Sequence, residues 1–231
     1  MTPEALEAAL GDVRARIAAA CARAGRNQAE IQILPITKTV APDRLRAALR
    51  LGLTTFGENR VQEAEEKAPT LPEAHWTMVG HLQSNKAKRA VELFEEIQSV
   101  DSVALAERLA RASLDVGRVP YPVYLQVNVD DDPAKAGFSP HDLIASGARL
   151  AALEHLEIRG LMTVGRLVPD QEAARPTFRR LRELSERLRA SEPKVGAGLS
   201  MGMSDDFEVA VEEGATVVRL GRVLFGMRPA A

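Results

Sequence analysis

Short runs that read as strands alternate with stretches of helical spacing eight times along this chain, and that alternation narrows the possible folds more than any other feature. The runs fall at 31–38, 54–57, 75–80, 96–100, 121–129, 156–164, 198–202 and 216–221. Strands that each lead into a helix cannot pair as hairpins. They return side by side, so the pattern predicts a parallel sheet. Eight such units in 231 residues suit a closed (β/α)8 TIM barrel, an α/β fold of typical length ~250 residues. One helix is left over at the start, over 2–24, where Leu6, Leu10, Val13, Ile17 and Cys21 recur at helical spacing and Gly25 is a natural stop. The alternative is an open doubly wound sheet. A dinucleotide-binding version of it is disfavoured, because no Gly-x-Gly-x-x-Gly follows the first strand. No Pro/Gly/Ser-rich linker divides the chain, so one domain over 1–231 is expected.

The remaining helices are expected over 42–51, 61–67, up to 94, from 101 to 116, from 139, over 170–190 and over 205–213, with a short final turn at 223–226. The arginine-rich stretch at 170–190 carries an apolar stripe of Phe178, Leu181, Leu184 and Leu188. Its charges (Arg182, Glu183, Glu186, Arg187) read most simply as a solvated face.

Composition excludes several functions. A net charge of -2 and 4% aromatic residues, with no basic run among aromatics, argue against nucleic-acid binding. Cys21 is the single cysteine, which rules out an internal disulfide and suits a reducing compartment. No basic-then-apolar leader opens the chain, and no apolar run nears the roughly 20 residues of a membrane span, so a cytoplasmic location is expected. The four histidines form no metal-ligand spacing, and no Gly-x-Ser-x-Gly elbow is present.

Chemistry in such a barrel sits where the strands end. The first run ends in Lys38. A lysine at the mouth of an apolar cavity is disfavoured in its charged form, and a neutral amine is a nucleophile for carbonyl carbon. On its own, Lys38 reads more simply as an ordinary solvated strand end. The loops after the seventh and eighth runs, Ser200-Met201-Gly202-Met203-Ser204 and Gly221-Arg222-Val223, lie where these barrels bind phosphate. Glycines let backbone N–H groups come close to an anion, and serines add donors. Arg219 interrupts an apolar run, and a buried arginine needs a partner. That partner is either a core carboxylate or a ring nitrogen of a cofactor. A lysine, a phosphate site and an arginine facing a ring nitrogen together describe pyridoxal 5′-phosphate (PLP).

Longer segments carry a resemblance. They are Thr37-Lys38, Phe56-Gly57-Glu58-Asn59-Arg60-Val61-Gln62-Glu63, Gly80-His81-Leu82-Gln83-Ser84-Asn85-Lys86, Arg159-Gly160-Leu161-Met162, Leu199-Ser200-Met201-Gly202-Met203-Ser204-Asp205 and Arg219-Leu220-Gly221. In these the chain resembles the PLP homeostasis protein family, and the match spans nearly its whole length. The resemblance implies a fold-type III PLP barrel similar to that of alanine racemase, with PLP as cofactor held as an internal aldimine on Lys38. It implies that Ser200, Met201, Gly221 and Arg222 hold the phosphate, the last three through backbone N–H groups. It places Arg219 at the pyridine nitrogen, and Asn59 and Met162 along the ring. Arg222 departs from the Ser or Thr often found there. Thr77 departs from the His that usually follows the family's Trp.

The function so implied is PLP binding in vitamin B6 homeostasis without a settled reaction of its own, with PLP-dependent client enzymes as partners and a monomeric state. The rival is a racemase-like PLP enzyme. It needs a second acid/base opposite the lysine, which in racemases is a tyrosine on an additional domain. The chain ends soon after Gly226, and its tyrosines, Tyr121 and Tyr124, fall near the start of the fifth run. A Schiff-base aldolase barrel without cofactor leaves Arg219 unexplained.

Overall fold

The computed structural model describes residues 2–165 and 170–226. The expected strands form as β1 (Gln32–Pro35), β2 (Thr55–Glu58), β3 (His75–Met78), β4 (Glu96–Val100), β5 (Tyr121–Gln126), β6 (Leu156–Met162), β7 (Gly198–Ser200) and β8 (Val217–Leu220). Several are shorter than the runs that announce them, because those runs continue past the last paired residue into the loops that carry the site. All pairings are parallel, in the order β1-β8-β7-β6-β5-β4-β3-β2. The two ends of that order meet: Ile36 bridges Gly57, and the Thr37 N–H donates to the Gly57 carbonyl at 2.9 Å. The sheet is therefore a closed barrel, with none of the unpaired edges of the open alternative.

The helices are α1 (Pro3–Ala24), α2 (Pro42–Arg50), α3 (Val61–Lys67), α4 (Ala87–Leu93), α5 (Val103–Val116), α6 (Pro140–Ala151), α7 (Arg175–Ser191), α8 (Phe207–Glu212) and α9 (Arg222–Phe225). Their ends follow from local chemistry. Ser102 and Ser139 cap α5 and α6 through side-chain oxygens that accept N–H groups of the first turn. The first helix stops at Gly25, whose φ of 64° suits a residue without Cβ. The eighth unit supplies only the single turn α9. The leftover helix α1 takes the vacant place in the outer ring. It packs against α8, α9 and α2 and buries Leu6, Leu10, Val13, Ile17, Ala20 and Cys21.

The charged face of α7 is not simply solvated. Arg182 does pair with Glu186 one turn on, at 3.5 Å. Yet Arg175, Arg179 and Arg182 also converge on Glu213, just beyond α8, at 3.1–3.3 Å. Spacing within one helix cannot reveal that partner, which comes from the next unit of the barrel.

Inside the barrel, Leu34, Tyr124, Met162 and Val217 form a small cluster of their own. Tyr124 fits because β7 carries glycine beside it: a Cβ at Gly198 would lie 2.6 Å from the tyrosine oxygen. A Cβ at Gly160 would instead lie 1.9 Å from the Gly198 carbonyl oxygen, so glycine there lets β6 and β7 approach. A polar line runs alongside. Arg219 Nη1 donates to Ser200 Oγ at 2.7 Å, Ser200 Oγ donates to Gln98 Oε1 at 2.6 Å, and Gln98 Nε2 donates to Glu96 Oε1 at 2.7 Å. Glu96 then takes Arg159 Nη1 at 3.0 Å, at the opposite mouth.

Candidate functional site

At the C-terminal mouth of the barrel lies a cavity of about 270 Å³. Its walls come from the ends of several strands: Ile36 and Lys38 after β1, Asn59 after β2, Val79 after β3, and Val164 after β6. Met203 and Ser204 contribute from the loop after β7, and Arg219, Gly221 and Arg222 from β8 and its loop. The three branched apolar residues among these come from period-2 alternation. Ile36, Val79 and Val164 continue the inward-facing rows of their strands one step beyond the packed interior, where they line space instead of filling it.

Of the eight residues expected at the site, five share this cavity: Lys38, Asn59, Arg219, Gly221 and Arg222. The other three lie among the buried residues around it and are not part of its lining. Met162 is fully buried in the interior cluster. Ser200 is also fully buried, and its hydroxyl is engaged between Arg219 and Gln98. The Met201 N–H donates to the Val217 carbonyl at 3.1 Å, so it serves the barrel ladder. In the loop after β7, Met203 and Ser204 instead reach the cavity. Ser204 Oγ accepts the Val223 N–H at 3.3 Å, so its own O–H remains a donor. A serine two residues past Gly202 was the available signal for it.

Lys38 is half-buried and follows immediately on the bridge that closes the barrel. Arg219 is 5% exposed. Its bonds go to neutral oxygens: Ser200 Oγ and, from Nη2, the Thr163 carbonyl at 2.6 Å. Burial pushes its pKa down to about 10, against the opposing pull of the nearby Asp206 carboxylate. It therefore stays a cation at neutral pH, and of its five N–H donors these two bonds use two. Asp206 itself is raised by burial, and its Oδ1 accepts the Met203 N–H at 2.6 Å, which shapes the same loop. At the rim, Arg222 pairs with Asp205. The departure at Thr77 falls elsewhere, in the cavity of the opposite mouth.

Below Lys38 lies a polar cluster that joins two motif residues, Thr37 and Glu58, to Lys67, which no motif contains. Glu58 is fully buried. Its Oε1 accepts from Thr37 Oγ1 at 2.7 Å and from Lys67 Nζ at 2.5 Å. Burial raises its carboxyl above the usual range, against the bonds from Lys67 and Thr37 that lower it.

A lysine, a buried guanidinium and a serine-glycine wall meet in one cavity at the C-terminal mouth of a (β/α)8 barrel, a set of groups with the chemistry to take a small phosphorylated carbonyl compound. Known proteins resemble the chain over most of its length. The family model described as "Alanine racemase, N-terminal domain" matches residues 10–229. A pyridoxal phosphate homeostasis protein of Pseudomonas aeruginosa is 40% identical over 221 residues, covering 95% of this chain and 94% of that one. The structure of PipY of Synechococcus elongatus PCC7942 with PLP bound superposes with a TM-score of 0.81 at 39% identity, over 93% of this chain and 100% of that one. An alanine racemase of Clostridium difficile 630 superposes with a TM-score of 0.76 at 15% identity, over 98% of this chain and 58% of that one, and shares the fold. The chain belongs to the pyridoxal phosphate homeostasis protein family.

Proposed function

We infer that the cavity at the C-terminal mouth binds PLP, and that the chain serves PLP homeostasis by holding and releasing that cofactor. One observation carries the reading: Lys38 and the buried cation of Arg219 line the same small cavity, with Ser204 and Gly221 on its wall. The donor set fits the group. When bound, PLP supplies an aldehyde, a ring nitrogen that accepts a hydrogen bond, and a dianionic phosphate. Lys38 would hold the aldehyde end, its amine being the nucleophile of the wall suited to that carbon. Arg219 keeps its proton and donates to the ring nitrogen, which holds that nitrogen unprotonated. Asn59, with Ile36, Val79 and Val164, bounds the ring. Ser204 and the Gly221-Arg222 loop serve the phosphate, and Ser200 acts one step back, by holding Arg219. Met162 forms the floor, and Met201 shapes the loop from behind.

The relatives that carry the homeostasis name support the role in vitamin B6 balance, and the PLP bound in PipY supports the cofactor. Hand-over to PLP-dependent client enzymes in the cytoplasm, by a single-domain monomer, completes the proposal. Among the described residues, no helix is long and apolar enough to cross a membrane. The racemase-like alternative needs a second acid/base at the cavity. Both tyrosines are buried in the barrel instead, and Tyr121 donates to the Phe94 carbonyl at 2.7 Å.

The test is the visible spectrum of the purified protein incubated with PLP, before and after borohydride, with peptide mapping. A yellow band that borohydride bleaches, with the pyridoxyl mass on Lys38, is the expected result. A protein that stays colourless and unlabelled sinks the reading. Racemisation of L-alanine by the loaded protein at an enzyme's rate would favour the alternative.

A further inference from the structure

The turn that presents Lys38 is held from outside its own strand. Thr39, a β-branched residue, sits at a φ of +63°. That conformation is an outlier for such a residue and persists only where surrounding contacts enforce it. Two of those contacts come from α3. The Thr39 N–H donates to Glu63 Oε2 at 3.2 Å, and Lys67 Nζ donates to the Thr37 carbonyl at 2.8 Å. The residues on both sides of Lys38 are thus bonded to one helix face, since Glu63 and Lys67 stand one turn apart and 3.9 Å from each other. From β2, Glu58 takes Thr37 Oγ1 and anchors Lys67 Nζ. Its other oxygen, Oε2, is buried without a hydrogen bond among the described residues. A buried carboxylate with one oxygen unbonded is a poor stabilising device, because its desolvation is only partly offset.

We propose that Glu58, Glu63 and Lys67 are positioning residues for Lys38, a clamp that fixes the backbone of residues 37–39 so that the amine meets a carbonyl carbon in the cavity. The proposal rests on Lys38 being the covalent anchor. Within residues 37–39 the clamp bonds main chain and the Thr37 hydroxyl only, and none of its three residues lines the cavity, so it governs where the amine is delivered and leaves the walls alone.

The test separates capture from binding. PLP probes both. Pyridoxine 5′-phosphate, which carries an alcohol in place of the aldehyde, probes the cavity alone. In Glu63→Ala and Lys67→Met, the rate of pyridoxyl trapping on Lys38 falls about tenfold, as expected for a reacting group displaced by a fraction of an ångström to an ångström. The Kd for pyridoxine 5′-phosphate stays within about twofold of wild type, because no cavity wall has changed. Glu63→Gln keeps the acceptor oxygen for Thr39 and restores capture. Should Lys67→Met fail to fold, Glu58→Gln/Lys67→Met removes the unpaired charge and carries the same expectation. Unchanged capture in both Glu63→Ala and the Lys67 variant overturns the clamp. So does a parallel loss of capture, pyridoxine 5′-phosphate binding and thermal midpoint, which marks a packing role. A wild-type protein that binds pyridoxine 5′-phosphate but is never labelled on Lys38 defeats the anchor assignment itself, and shows it before any variant is made.

Discussion

The two mouths of this barrel carry similar residue types and use them differently. The N-terminal mouth holds a cavity of about 490 Å³, larger than the one that Lys38 and Arg219 line, and bounded in part by Glu95, Glu96, Arg118 and Arg159. There, charge meets charge or carbonyl within the protein. Arg159 pairs with Glu96 at 3.0 Å and Glu157 at 3.3 Å, and His75 meets Glu95 at 2.6 Å. Arg118 donates to the carbonyls of Val91 and Phe94. At the C-terminal mouth, Arg219 is more deeply buried than any of these, and the oxygens it bonds are neutral. A buried cation not in contact with a carboxylate costs free energy that its two hydrogen bonds and the nearby Asp206 charge offset only in part. The difference teaches that cavity size is a poor guide to function. A charge left for an external anion or acceptor is a better one.

Substitutions can break the comparison or sharpen it. The largest effect is expected at Lys38. Lys38→Ala abolishes pyridoxyl labelling, while circular dichroism stays that of wild type, because the side chain stands at the mouth and outside the packed interior. Loss of the fold would mean that the lysine is structural, as the charges at the other mouth are. Next, Arg219→Gln weakens PLP retention by at least about tenfold, the worth of a hydrogen bond from a charged donor. Retention measured by gel filtration and absorbance that matches wild type would remove Arg219 from the site. At the opposite mouth the sign of the contrast reverses. Arg159→Ala leaves Glu96 with Gln98 as its partner and lowers stability by about 1–2 kcal/mol, discounted for a half-exposed guanidinium. Denaturant titration reads that loss, and PLP uptake in the same variant stays unchanged. A clear fall in uptake would show that the polar line from Glu96 to Arg219 joins the two ends functionally.

The smallest effect at neutral pH concerns the barrel interior between the mouths. Burial, helped by the Glu96 charge, pushes the Tyr124 hydroxyl up to about 12. Tyr121 moves in the same direction, again chiefly through burial. The folded state therefore binds these protons more tightly than the unfolded chain, whose tyrosines titrate near pH 10. The stability they contribute is fully present below about pH 10 and is lost as pH rises through the folded value. Absorbance at 295 nm should show no tyrosinate below about pH 11 in the native protein. Ionisation near 10 without unfolding would mean the interior is wetter than described.

Much of this was legible in the residues themselves. The (β/α)8 count follows from periodicity because burial on both faces makes a parallel strand uniformly apolar, whatever its neighbours are. Lys38, Asn59, Arg219, Gly221 and Arg222 could be singled out because each sits where a strand pattern breaks. Lys67 could not. It lies at a helix end among ordinary charges. Glu58 stands in a strand-end motif, but only the meeting of β2, α3 and the Lys38 turn brings the two together. Ser200 shows the same limit in reverse. Its place in the loop after β7 predicts a phosphate donor, but the inward side of that short strand delivers its hydroxyl to Arg219 and Gln98.

The chain's order of residues alone therefore determined the number of units, the end of the barrel where the unusual polar residues gather, and the lysine that ends the first run. These depend on local period and on composition at strand ends. The tertiary structure decided which charges are spent on each other and which face the cavity. It also decided that α1 replaces the missing eighth helix and that Thr39 is held in a left-handed turn. Each of those outcomes turns on contacts between segments far apart in sequence, where distance and burial set the energy and no local pattern records it.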